Sequence, residues 1–493
     1  MPKKKAIVIG AGIGGIGVAI RLAVKGYAVE VFEANSYAGG KLTWFEKDGY
    51  FFDAGPSLFT MPQYVDELFA LAGKDPRAHF NFSRLDIICN YFFADGTNLI
   101  QHADQQKTAD EFEKKTNEPA VSINTFLDNS RKIYNATHGI FLERSLHRLS
   151  TYFNRDAFAS FSDLFKIDPM RTMHEANETA FSDARVVQFF DRYATYNGSN
   201  PYQAPATLNV IPHLENGLGA WFPEGGMRSI TDSLVSLAES IGVKMNYNSP
   251  VEEITTKGQK VTGVIVNSIT RNADVIVSNS DVWFTYNKLL KKRPELAPKK
   301  ILQQERSSSA LIFYWGINKQ FVQLDLHNIF FSADYNTEFQ HIWENKTISD
   351  DPTVYVNISS KCKPDDAPLG HENWFVMINV PANIGQDWDA LITKARADII
   401  KKLSAVLKRD IGALITCESV LDPRSIEGRT SSYQGSIYGS SSNSKFAAFL
   451  RHANRSSKLK NLFFCGGSVH PGGGIPLALL SAKIVSDWVP DPA

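Results

Sequence analysis

A four-residue apolar run, Ala6 to Ile9, leads straight into Gly10-Ala11-Gly12-Ile13-Gly14-Gly15. Helix-period residues follow from Ile16 to Lys25, closed by Gly26, and "YAVEVFEA" ends at Glu33. No other feature restricts this chain so strongly. GxGxxG between a strand and a helix, with an acid about 20 residues on, is the pattern of a dinucleotide-binding βαβ unit. The first glycine makes the turn, the second lets backbone approach a pyrophosphate, and the third lets helix and strand pack closely. The helix N-terminus favours the phosphate charge, and Glu33 can accept hydrogen bonds from ribose hydroxyls.

A second glycine cluster lies at the far end. "NLFFCGGSVHPGGGIPLALLSAKIVSDWV" (Asn461 to Val489) holds five glycines and two prolines between an apolar run and a closing helix. Pro476 suits a first helical turn, and Leu477, Leu480, Ile484 and Trp488 repeat at helical spacing. Phe463, Phe464 and Cys465 read as the end of a buried strand. Glycines there let a backbone approach something large and flat, or phosphorylated.

Composition removes other classes. Lys plus Arg and Asp plus Glu each number 52, so charge offers no argument for nucleic acid. Four cysteines, Cys89, Cys362, Cys417 and Cys465, lie far apart without a CxxC, which disfavours a disulfide framework or metal site and fits a reducing compartment. The lysines before Ala6 mimic a signal peptide, but the apolar run breaks at Gly10, too early for one. No stretch reaches the ~18 apolar residues of a membrane span. The expected location is the cytoplasm or the inner surface of the cell membrane.

A chain of 493 residues exceeds a single core, so two domains are expected. The fold class is α/β, with a Rossmann-like dinucleotide domain assembled from residues 1–85, 223–286 and 455–493. A substrate domain, 86–222 and 287–454, would combine helices with a mixed or antiparallel sheet. Its strands are read in "SALIFYWGI", "HNIFFSA", "TVYVNIS" and "NWFVMINVP", followed by a long helix from about Asp387 to Leu407.

Three blocks resemble the flavin-dependent amine oxidase superfamily and, within it, the bacterial carotenoid desaturases of the phytoene desaturase type. They are "VFEANSYAGGKLTWFEKDGYFFDAGPSLFT", "RYATYNGSNPYQAPATLNVIPHLENGLGAWFPEGGMRSI" and "LFFCGGSVHPGGGIP". "DAGPSLFTMPQYVDELF" looks most like the flavobacterial branch acting at C-3,4 of γ-carotene-type or 1-hydroxylated carotenoids. Ser468, where many members carry Gly, is a departure of small size.

The resemblance implies FAD, with Gly10, Gly12, Ile13, Gly14 and Gly15 at the pyrophosphate and Glu33 at the adenosine ribose. It puts Gly40 and Lys41 along the phosphates and ribityl chain, and Val251 at the adenine. Gly55, Pro56 and Ser57 would approach the flavin ring, as would Gly474, Ile475 and Pro476, with Gly466 and Gly467 on the pyrophosphate side. The closing helix would then turn its positive end to a ring that gains negative charge on reduction. Hydride loss from an allylic carbon leaves a cation spread over the polyene, so no catalytic triad or metal is required, and none is found. His213 and His470 are the candidate catalytic helpers. Tyr193, Tyr196, Trp221 and Phe222 are candidates for lining a lipophilic channel.

The implied partner is a lipophilic C40 carotenoid taken up at a membrane surface, and the electron acceptor stays open between quinone and oxygen. The expected membrane contact is Arg144 to Arg171, where Arg144, Arg148, Arg155, Lys166 and Arg171 alternate with Leu146, Phe153, Phe158, Phe161 and Phe165. Phytoene desaturase is the alternative; a saturase or amine oxidase of the same superfamily, and a flavin-free binding module of the Rab GDP-dissociation inhibitor kind, are further rivals.

Overall fold

The computed structural model describes residues 3–148, 151, 168, 170–444 and 451–492. Its first sheet is parallel throughout, with strands in the order Leu462–Phe464, Val275–Ser278, Lys5–Ile9, Ala28–Phe32, Lys244–Asn246. Lys5–Ile9 lies in the middle and is buried beyond Lys5, which explains why it reads as an unbroken apolar run and not as an alternation. Three distant parts of the chain thus share one sheet. An antiparallel sheet of Val251–Lys257, Lys260–Val266 and Ile269–Asn272 accompanies it.

The first helix spans Ile13–Val24, beginning three residues earlier than the periodicity suggests. Gly14 and Gly15 therefore belong to its first turn, because the chain winds directly out of Gly12 without a side-chain cap. The closing helix, Ile475–Trp488, packs on the first where glycine permits it: a Cβ on Gly17 would come within 3.0 Å of Leu479 Cδ2.

The second sheet has seven strands in the order Ile415–Leu421, Ser309–Ile317, Glu372–Val380, Val354–Asn357, His327–Phe330, Ile87–Phe92, Asn98–His102. All neighbours are antiparallel except His327–Phe330 with Ile87–Phe92. Alternation divides its faces. Phe313, Trp315, Trp374 and Val376 pack with Ile399 and Leu403 of the helix Trp388–Leu407. Ala310, Ile312, Tyr314 and Phe375 look the other way and pack with Tyr50, Phe52 and Ala54. The strand pair Ile87–Phe92 and Asn98–His102 escapes sequence reading because the first strand is buried on both faces and shows no period of two.

Of the expected membrane segment, Arg155, Lys166, Phe153, Phe158, Phe161 and Phe165 lie outside the described residues. Within them, Arg148 sits over the Trp488 ring at 5.1 Å and Arg171 pairs with Asp168 at 2.5 Å.

Candidate active site

A cavity of about 710 Å³ runs between the two sheets. Its wall contains Gly10, Gly12, Ile13 and Gly14 of the first turn and Gly466 and Gly467 of the C-terminal cluster. It also contains Gly474, Ile475 and Pro476, which open the closing helix. Two helix N-termini thus converge on one space, and neither Gly12 nor Gly474 provides a side-chain cap. Their first N–H groups have no intrahelical partner, a ready set of donors for an anion.

Asn279 completes this turn and was not singled out in the sequence. A Cβ on Gly12, Gly14 or Gly466 would lie 2.6, 2.8 or 2.8 Å from its side chain. Parallel pairing of Ile9 with Ser278 delivers Asn279 beside Gly10, a position visible only once the register is known. Gly15, by contrast, does not line the cavity. A Cβ there would fall 2.1 Å from the Gly10 carbonyl, so this glycine serves the turn's own packing.

Glu33 is only 6% exposed and accepts hydrogen bonds from Ala11 N at 2.7 Å and from Asn35 N and Nδ2 at 2.9 Å. Oε1 takes both Asn35 donors, whereas Oε2 takes only Ala11 N and retains acceptor capacity, as a ribose partner at the cavity Glu33 lines requires. Val251 lines the same stretch of wall as the first residue of its strand. The uncapped donors, the acid and the glycine clearance together fit a dinucleotide cofactor.

Gly40 lies on the turn itself, its Cβ position 3.3 Å from Gly12 Cα. Lys41 Nζ donates to the Ser436 and Ile437 carbonyls at 3.2 and 3.0 Å. Burial lowers the Lys41 pKa to about 8; Asp281 opposes this and Arg306 adds to it. Gly55 admits no side chain, since a Cβ would fall 1.7 Å from the Lys41 carbonyl. Pro56 and Ser57 follow it along the wall, and Ser57 Oγ meets Tyr355 OH at 2.7 Å.

The histidines separate. His470 lines the cavity, and its Nε2 faces the Arg144 carbonyl at 2.9 Å, so Nε2 carries the proton. Burial lowers its pKa to about 4 and keeps the ring neutral. His213 does not line the cavity: its ring packs against Tyr134 at 5.0 Å and over Gly217. The helical spacing of "IPHLE" turns Glu215, and not His213, to the cavity.

Of the four aromatics, Tyr196 lines the wall. Tyr193 is buried behind it and donates to Glu215 at 2.8 Å. Trp221 and Phe222 are packing residues, with Trp221 edge-on to Phe82 at 5.3 Å. The apolar wall comes instead from Ile312, Phe375 and Met377 of the second sheet and from Ile133, Thr137 and Phe141. The last three form one stripe, four residues apart, on the helix Ala120–Phe141. Among the described residues no group of three or more His, Cys, Asp or Glu is placed to hold a metal ion.

Residues 13–489 match the family described as "Flavin containing amine oxidoreductase". The chain is 49% identical over 492 residues to a 1-hydroxycarotenoid 3,4-desaturase of a Flavobacterium species, covering 99% of each protein. It is 32% identical to a 4,4'-diapolycopene oxygenase of a Methylomonas species over 99% of this chain and 98% of that one. An oxidoreductase from Methanosarcina mazei superposes with a TM-score of 0.65 at 16% identity, covering 98% of this chain and all of that one. Putrescine oxidase bound to putrescine does so at 0.62 and 14%, covering 98% of each. These two structures speak to the fold.

Proposed function

The chain belongs to the flavin containing amine oxidoreductase family, and from that premise we propose that it is an FAD-dependent carotenoid desaturase. It introduces the C-3,4 double bond at an acyclic end of a C40 carotenoid of the γ-carotene or 1-hydroxylated type. The observation that carries this is the 49% identity to a 1-hydroxycarotenoid 3,4-desaturase across essentially all of both chains. The apolar wall supports it, since a polyene needs a long lipophilic slot and offers almost nothing to hydrogen-bond.

Bound FAD supplies the two-electron oxidation. Gly10, Gly12, Ile13, Gly14, Gly466 and Gly467 would hold its pyrophosphate, Glu33 its ribose and Val251 its adenine. The Gly55–Ser57 and Gly474–Pro476 segments would flank the ring, with Gly40 and Lys41 between. The rest of the protein's contribution is placement and exclusion of water. The second sheet and the Ile133–Phe141 stripe seat the polyene, whose conjugation spreads the positive charge left by hydride loss. A proton must then leave an adjacent carbon, which a weak base can accept. His470, a neutral ring in the wall with Nε2 held by the Arg144 carbonyl, is the weak base we assign, through its Nδ1.

A carotenoid is insoluble in water, so we propose peripheral attachment at the inner face of the cell membrane. Among the described residues no helix is long and apolar enough to cross it. Flotation with anionic vesicles tests the attachment. Co-expression in a bacterium that accumulates one carotenoid at a time tests the activity. γ-Carotene or a 1-hydroxylated carotenoid should lose two hydrogens with a red-shifted spectrum. Conversion of phytoene to lycopene with those substrates untouched would reassign the protein as a phytoene desaturase.

A further inference from the structure

His327 opens the strand His327–Phe330 and stands in the cavity wall, only 3% exposed. Its Nδ1 has two neighbours, Tyr355 OH at 2.7 Å and Asn357 Nδ2 at 3.2 Å. An amide N–H can only donate, and Asn357 Nδ2 is held in that orientation by the Leu326 carbonyl at 3.0 Å. Nδ1 is therefore an acceptor, and the ring proton sits on Nε2. That Nε2 is buried and has no hydrogen-bond partner. Burial lowers the ring's pKa to about 4, so the imidazole stays neutral and Nε2 keeps its single proton.

A buried donor without an acceptor is costly, and one in the wall of a lipophilic cavity suggests a ligand that brings the acceptor. Arg192 Nε is a second unpartnered donor in this wall, but its guanidinium is already engaged by Glu215, Tyr91 and Tyr196. The other wall histidine, His470, already faces the Arg144 carbonyl. His327 is thus the neutral donor left unused.

Its place along the cavity matters as much as its chemistry. Tyr355 OH bridges His327 Nδ1 and Ser57 Oγ, each at 2.7 Å, which ties the imidazole to the Gly55–Ser57 turn. In a 1-hydroxylated carotenoid the hydroxyl oxygen is three covalent bonds from C3. A group that recognises it must therefore stand beside the reacting carbons and not at the distant end of the polyene.

Resting on the carotenoid reading above, we infer that His327 determines specificity for the 1-hydroxylated end, donating Nε2–H to the hydroxyl oxygen of the substrate. Tyr355 and Asn357 hold the ring in the tautomer that can donate. Ile312, Ile329, Phe375 and Met377 supply the apolar part of the wall that accommodates the hydrocarbon.

The test compares two carotenoids of equal conjugation, one 1-hydroxylated and one not, presented in vesicles to the purified FAD-loaded enzyme. Wild type should prefer the hydroxylated substrate. His327→Leu should lose about tenfold more in kcat/KM on that substrate than on the unhydroxylated one, the scale of one hydrogen bond. His327→Gln, which keeps an N–H, should recover part of the preference. If His327→Leu fails to load flavin, His327→Met fills the space without a donor and decides by the same ratio. An equal loss on both substrates, or a wild type indifferent to the hydroxyl, overturns the assignment and leaves the desaturase reading standing. A flavin-loaded wild type that converts neither carotenoid overturns both.

Discussion

Arg192 and Glu215 form a buried ion pair in the cavity wall, with Nη2 3.1 Å from Oε2 and side chains 6% and 2% exposed. The carboxylate also accepts from Tyr193 OH at 2.8 Å and Gln101 Nε2 at 3.3 Å, and from Tyr196 OH. Arg192 reaches Tyr91 as well, so helix, turn and the Ile87–His102 strand pair meet in one polar knot behind an apolar slot.

Removing one partner leaves the other charged in a place water does not reach. Glu215→Leu is expected to cost about 3–5 kcal/mol, and the double variant Arg192→Met/Glu215→Leu much less than the sum of the singles. Chemical denaturation of the FAD-loaded proteins in a double-mutant cycle measures this. Additive losses would show that the two charges do not depend on each other.

The two glycines that flank Ile13 and Gly14 should fail differently. Gly12→Ala conflicts only with the tip of the Asn279 side chain, at 2.6 Å, which can swing aside. Gly15→Ala conflicts with the Gly10 carbonyl at 2.1 Å, which cannot. Gly12→Ala should therefore keep the apoprotein's melting temperature within a few degrees and purify with less FAD. Gly15→Ala should lower the apoprotein's melting temperature as well. Equal apoprotein stability in the two variants would contradict the distinction.

This contrast also marks how far the sequence could be read. Strand, glycine turn, helix and Glu33 were legible because they are local in the chain and their spacing has a physical meaning. The C-terminal glycines were legible for the same reason. Asn279, Arg192 and His327 were not. Asn279 matters through parallel register with Ile9, Arg192 through a partner in another helix, and His327 through a strand pairing with Asn357. Helical phase is not legible in "IPHLE", and it is phase that brings Glu215, and not the candidate His213, to the cavity. Trp221 and Phe222 misled because an aromatic pair reads the same in a core as in a channel.

Lys41 gives cofactor binding a pH dependence of definite sign. Its pKa in the free protein is lowered from 10.5 to about 8, and a nearby phosphate would raise it again. Binding is then coupled to proton uptake above pH 8. FAD affinity should be flat below that pH and fall as pH rises beyond it, by up to about tenfold per unit until the pKa of the complex is reached. Lys41→Met should bind FAD more weakly and lose this slope. Fluorescence titration of FAD into the apoprotein between pH 7 and 10 reads both, and an unchanged slope in Lys41→Met would remove Lys41 from the phosphate.

Asp53 provides a pH dependence of stability. It is buried at the start of the helix Arg228–Ser240, where it accepts from Met227 N at 3.0 Å and Arg228 N at 3.1 Å. Burial is the larger influence and raises its pKa from 3.8 to about 6; those hydrogen bonds oppose the rise and the Asp366 charge adds to it. An acid whose folded pKa is raised binds its proton more tightly in the native state. The native state is therefore favoured below pH 4 by this group, and that contribution disappears as pH climbs through 6. The change is on the order of 3 kcal/mol across the window. Asp53→Asn cannot ionise, so its melting temperature relative to wild type should rise steadily from pH 4 to pH 6 and level off above. Arg228→Ala in the wild-type background removes an opposing charge and should move the same transition to higher pH. A difference between Asp53→Asn and wild type that does not change between pH 4 and 6 would mean that Asp53 stays ionised in its buried site.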